Sequence, residues 1–102
     1  MGWRMRTPES YEKAEIKKYL DKIQAWYFLP YAAAFGRAGI PDIVGCYRGS
    51  FFSIEVKREG KFPTPLQIQR MSEITAAGGR ALSGTAKAVI ATFEELRTRG
   101  ML

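Results

Sequence analysis

At 102 residues the chain is the length of one domain, so residues 1–102 read as a single folded unit with a modest core. Lys and Arg outnumber Asp and Glu by 16 to 10, a formal charge of +6; this suits a polyanionic partner such as nucleic acid or an anionic membrane surface, although a solubilising surface carries the same surplus. There is no histidine and one cysteine, Cys46, which excludes histidine catalysis and ligation, most Ser or Cys triads, an internal disulfide and a cysteine zinc site, and leaves chemistry to carboxylates, lysine, hydroxyls or a metal held by oxygen.

The N-terminal stretch "MGWRMRTPES" has no apolar core of a signal peptide, and no apolar run approaches membrane-spanning length, so the expected location is the cytosol with no membrane partner. "TPESYEKAEIKKYLDKI" predicts a first helix with Thr7 as N-cap and Pro8 at its first position. Ile16, Leu20 and Ile23 form its inward stripe. "AWYFLPYA" predicts an aromatic strand stopped near Pro30, serving as core or as an interface. After the loop "AFGRAGIPD", two runs, Asp42–Tyr47 and Phe51–Lys57, flank Arg48-Gly49-Ser50 as a hairpin, with Cys46 expected in the core or in the hairpin packing. A loop "REGKFPTP" leads to the helix "TPLQIQRMSEITAAGG", with Thr64 as N-cap, Pro65 at its first position and Gly78 as its stop. "RALSG" predicts a short strand. "TAKAVIATFEELRTRG" predicts a helix with Val89, Phe93 and Leu96 in register, although "AKAVIAT" alone also fits a strand. The order α-β-β-β-α-β-α is that of a mixed sheet with helices packed on it.

Side chains alternate along a strand, so Glu55 and Lys57 share a face with Ser53, while Phe52, Ile54 and Val56 take the other. If the hairpin turns about Arg48–Gly49, paired residue numbers sum to 97 and Asp42 stands opposite Glu55; a loop of odd length would turn Asp42 to the wrong face. Two facing carboxylates repel unless a cation sits between them, and such an oxygen pair suits Mg²⁺ or Mn²⁺. Lys57 is placed to orient a water on the metal or to steady a phosphate oxygen. An exposed polar hairpin face would also show this E-x-K pattern, and the Pro-Asp at a pairing-compatible distance brings the two readings level.

These residues, Pro41-Asp42 and then Glu55-Val56-Lys57, resemble the PD-(D/E)xK nuclease superfamily. More narrowly, the stretch from "TPE" through "GIPDIVGCYRGSFFSIEVK" and "GKFPTPLQ" to "ITAAGG", about residues 7 to 79, resembles the virus-type replication-repair nuclease (VRR-NUC) family. The resemblance implies a restriction-endonuclease-like αβββαβ core and a divalent-metal-dependent, structure-specific DNA endonuclease. It implies no nucleotide cofactor, and a bacterial or phage-infected cell as the setting. Stand-alone members are similar to Holliday-junction resolvases, so branched DNA and a homodimer are the implied partners; a flap or non-specific nuclease, or a non-catalytic DNA-binding module, stay open. It further implies Asp42, Glu55 and the Val56 carbonyl as metal ligands, with the first-helix acid Glu9 reaching the metal through water. Lys57 and Gln67 complete the implied catalytic set. On a helical wheel with Glu9 at zero, the inward stripe lies within about 40°, Glu12 about 60° off and Glu15 about 120° off, so Glu12 remains an alternative. Gln67 also fits a capping box with Thr64, a role compatible with the first. Arg4, Arg6, Lys13, Lys17, Lys18, Lys22, Arg37, Arg58 and Lys61 are the candidate phosphate contacts, with Arg6, Lys13, Arg37, Arg58 and Lys61 foremost. For pairing of two copies the sequence offers the run Trp26 to Tyr31, the loop through Phe35, and a C-terminal helix with Phe93 and Leu96.

Overall fold

A computed structural model of the chain describes residues 8–31 and 38–102. Thr7, Arg4, Arg6, Phe35 and Arg37, which carry sequence expectations, lie outside the described residues. The elements run α1 (Pro8–Lys22), β1 (Trp26–Phe28), β2 (Ile43–Tyr47), β3 (Ser50–Val56), α2 (Pro65–Ala76), β4 (Arg80–Gly84) and α3 (Ala86–Thr98). This is the expected order, and "AKAVIAT" lies in a helix. The four strands form one sheet in the order β1-β2-β3-β4. β1, β2 and β3 pair antiparallel; β3 and β4 pair parallel, with α2 as the crossover that a parallel pair needs.

The hairpin is the sequence reading made concrete. Arg48 and Gly49 both take positive φ, 49° and 86°, the signature of a two-residue type I′ turn. Ile43 pairs with Ile54, Gly45 with Phe52 and Tyr47 with Ser50, so the paired numbers sum to 97. Gly45 is required by close approach: a Cβ there would sit 2.3 Å from the Trp26 carbonyl oxygen and 2.7 Å from the Phe52 ring.

One face of the sheet carries the core. Phe52, Ile54 and Val56 from β3, Ile43 and Tyr47 from β2 and Leu82 from β4 pack against Ile16 and Leu20 of α1 and Val89 and Phe93 of α3. Phe93 is the hub, its ring meeting Tyr19, Tyr47 and Phe52 edge to face. Phe93 is fully buried, which corrects its candidacy for an interface: the i, i+4 stripe it shares with Val89 is spent on the sheet. α2 contributes no buried residue and lies on the opposite face, where Ile74 approaches Phe51 beside Gly79. It does not cover β1 and β2 there, and no other element among the described residues does. Trp26, Phe28 and Cys46 are exposed on that side, with the Trp26 and Phe28 rings in edge-to-face contact. Cys46 is thus surface, neither core nor hairpin packing, because its register partners Trp26 and Phe51 put it on the face away from the core. Among the described residues no helix is long and apolar enough to cross a membrane.

Helix ends follow local chemistry. Thr64 and Gln67 form a reciprocal capping box at the start of α2. Gly78, at φ 98°, ends that helix as expected, with Gly79 N–H reaching the Ile74 carbonyl.

Candidate active site

The site lies where β2 begins and β3 ends. Asp42 stands one residue before the ladder, at the position that the register sets against Glu55. The next antiparallel partner of Val56 would be Pro41, where pairing has already stopped. Asp42 Oδ2 takes the waiting Val56 N–H at 2.8 Å, so the aspartate side chain finishes the ladder that its own backbone leaves. That bond fixes the carboxylate beside Glu55, close enough for its charge to act on the glutamate.

Glu55 is only 4% exposed, in a strand whose residues from Phe52 to Val56 are all buried. Its neighbours on the same face, Ser53 and Ser83, carry buried hydroxyls with no hydrogen-bond partner among the described residues. The protein does little to compensate the glutamate's desolvation. Burial accordingly pushes the Glu55 carboxyl up to about 8; the hydrogen bond to Asp42 and the Asp42 charge push the same way, Lys57 pulls it back, and the Glu9 charge adds to the rise.

Two lysines approach the pair without bonding it tightly. Lys57 Nζ lies 4.0 Å from Glu55 Oε2, and Lys13 Nζ lies 3.8 Å from Asp42 Oδ1. Lys57 is held by its own N–H, which donates to the Gly84 carbonyl at 2.9 Å and continues the β3–β4 ladder past Val56. Beside it opens a cleft of about 490 Å³ lined by Pro8, Glu9, Lys57, Arg58, Lys61 and Phe62. Lys13, a candidate phosphate contact by sequence, pairs here with Asp42. The signal was present in part, since Lys13 is one helical turn beyond Glu9 and so lies on the same side of α1.

The three α1 glutamates part company. Glu9 lines the cleft. Glu12 Oε1 accepts the Ala86 N–H at 2.7 Å, placing a carboxylate on the N-terminus of α3, where the helix dipole favours it. Glu12 therefore clamps α1 to α3, and Glu15 pairs with Lys18 on the surface. Gln67 Oε1 accepts the Thr64 N–H at 2.9 Å; the contact that the structure gives this side chain is the α2 cap. Arg58 and Lys61 stand at the cleft as the sequence suggested.

Among the described residues no three acidic side chains gather as a ready metal cluster. Asp42 and Glu55 nevertheless form an oxygen pair of the kind that Mg²⁺ or Mn²⁺ takes, because these ions keep several waters and need only one or two protein carboxylates. The residues fit such an ion, with Asp42 and Glu55 as the side chains that hold it.

The fold has counterparts. One solved structure described as "VRR_NUC domain" superposes with a TM-score of 0.71 and 22% identity, over 91% of this chain and 97% of that one. A second, "VRR_NUC domain protein", gives 0.64 and 21% over 91% and 89%. The chain has the α/β fold of VRR_NUC domains, four mixed strands flanked by helices, and the resemblance read from its motifs is borne out in its fold. No protein-family profile matches the sequence, and no curated protein does.

Proposed function

We propose that the protein is a divalent-metal-dependent DNA endonuclease of the VRR-NUC type that hydrolyses phosphodiester bonds in branched DNA, four-way junctions foremost. The observation that carries this reading is the Asp42–Glu55 pair itself. A buried carboxyl forced to keep a proton against its neighbour, with a lysine 4.0 Å away at the mouth of a basic cleft, is costly as structure and useful as a cation and phosphate site.

Asp42 and Glu55, joined by the Val56 carbonyl and by Glu9 through water, would hold Mg²⁺ or Mn²⁺. The ion supplies charge neutralisation at the phosphate and a water of lowered pKa. The protein does the rest with its own groups. Lys57 orients the attacking water and stabilises negative charge that builds on the phosphate oxygens. Arg58 and Lys61 draw the DNA backbone into the cleft, and Lys13 moves from Asp42 to a phosphate oxygen once Asp42 is otherwise engaged. The trio Asp42, Glu55 and Lys57 is intact, which favours an enzyme over a binding module that kept the fold.

A four-way junction presents two symmetric strands, and a pair of copies supplies two sites. The exposed β1–β2 face suits that pairing: Trp26 is 68% exposed there with the Phe28 ring against it, and Leu29 and Tyr31, 75% exposed, follow in the chain. Light scattering at micromolar concentration should return the mass of a pair, and Trp26→Glu the mass of one chain; a wild-type monomer that cuts junctions at paired positions would refute the pairing. The catalytic reading is tested by purified protein on four-way, flap, splayed and linear DNA. Cutting is expected with Mg²⁺ or Mn²⁺, strongest on the four-way junction, and none in EDTA. Cutting in EDTA, or none with either metal, would overturn it.

A further inference from the structure

Phe62 is the most exposed large hydrophobic side chain among the described residues, at 79%. It is not stranded at random on the surface. It lines the same cleft as Glu9, Lys57, Arg58 and Lys61, and so puts an aromatic ring among three cationic side chains. The core gains nothing from it, because the sheet face is already filled without it.

The loop that carries Phe62 has a constrained backbone. Lys61 N–H donates to the Arg58 carbonyl at 3.1 Å, closing a four-residue turn whose third residue, Gly60, sits at φ 80°; that is the geometry of a type II turn. Pro63 follows Phe62 and confines it to extended backbone. Thr64 then begins the capping box of α2. The backbone at Phe62 is thus held between a turn and a helix start, so the loop that presents the ring has little freedom left to lose on binding. A bare phenylalanine offers DNA no hydrogen bond and no charge. What it offers is a π-face, and what a π-face takes is an unstacked base.

We infer that Phe62 is a specificity-determining residue that stacks on a nucleobase freed from the helix next to the scissile phosphate, while Arg58 and Lys61 hold the flanking backbone. The inference rests on the nuclease reading of the same cleft and adds its substrate class: DNA with an unpaired or unstacked base at the cut, as at a branch point. Regular duplex, whose bases are stacked on both sides, cannot engage the ring.

The test is binding in EDTA, where no cutting occurs, to a splayed duplex with a fluorescent adenine analogue at the branch and to the same sequence fully paired. Wild type should prefer the splayed probe and quench the analogue. Phe62→Ala should weaken splayed binding about tenfold, the value of one base–aromatic stack, and leave duplex binding within about twofold of wild type, since that term is carried by phosphate contacts. Phe62→Trp should keep both affinity and quenching, whereas Phe62→Leu, equally apolar but without a π-face, should lose them. Equal splayed binding by wild type and Phe62→Ala, or full retention by Phe62→Leu, overturns the stacking role while leaving the nuclease reading standing. Wild type that binds neither probe overturns both.

Discussion

Among the described residues, two of the clusters in which carboxylates meet cations are built on opposite plans. At the far end of the core, Glu94 accepts from Tyr19 Oη at 2.6 Å and from Arg97 Nε at 2.6 Å, and Arg97 also donates to Tyr47 Oη at 3.2 Å. Every contact is a hydrogen bond, so the arginine and tyrosine hold the Glu94 carboxyl down at about 2. At the β2–β3 end, lysines stand 3.8 and 4.0 Å off and two carboxyls face each other, so Glu55 rises instead. The first cluster is satisfied by the chain alone and ties α1, β2 and α3 together. The second is left wanting a cation, and such local conflict is where a functional site is expected.

The largest break in this contrast comes from Lys57→Ala. Cleavage should fall about 100-fold or more, in the range of losing a group that handles the proton or charge of the reaction, while far-UV circular dichroism and DNA affinity stay near wild type. Turnover within a few-fold of wild type would reduce Lys57 to a surface charge.

Thermal unfolding against pH sharpens it further. Glu55 keeps its proton in the folded, metal-free protein up to about pH 8 but loses it near 4.5 when unfolded. The unfolded state therefore binds fewer protons between those values, and stability falls as pH rises from about 4.5 to about 8 in EDTA. Glu55→Gln should flatten that decline. A wild-type profile already flat across the window would show that the glutamate is not strained.

A smaller effect is expected at the satisfied cluster. Glu94→Gln should lower the melting temperature, because Arg97 and the Tyr19 hydroxyl lose their charged partner, and should leave cleavage per folded molecule unchanged. Because the Glu94 carboxyl is held below its ordinary value, its contribution is present above the unfolded carboxylate pKa and is lost as pH falls through about 2. A cleavage defect at full folding would mean that the two clusters are coupled.

The β hairpin was legible in the sequence because its determinants are local. A two-residue turn fixes the register, and period-two alternation then sets Asp42 against Glu55 without knowledge of anything else. The caps of α2 were legible for the same reason. Contacts between distant elements were not. Glu12 and Ala86 are 74 residues apart, and a helical wheel gives the face of α1 without saying which element lies over it. Lys13 reached Asp42 by the same route. Phe93 showed its stripe but not its depth, since the same apolar pattern serves a core and an interface. Cys46 was recoverable: its register partner is Phe51, on the parity of Ser53 and Glu55, opposite the face that holds Phe52 and Ile54.

The central claim is that Asp42 and Glu55 are held in conflict to receive a divalent ion, and Mn²⁺ tests it directly through the unfolding of wild type and Asp42→Asn at pH 8, each with and without the ion. In EDTA, Asp42→Asn should melt above wild type, because it removes one of the two opposed charges while its amide oxygen can still accept the Val56 N–H. Mn²⁺ should raise the melting temperature of wild type, as any ligand of the folded state does, and leave Asp42→Asn where it was, with calorimetric titration showing heat for wild type alone. Mn²⁺ that stabilises both proteins equally, or neither, would contradict the claim.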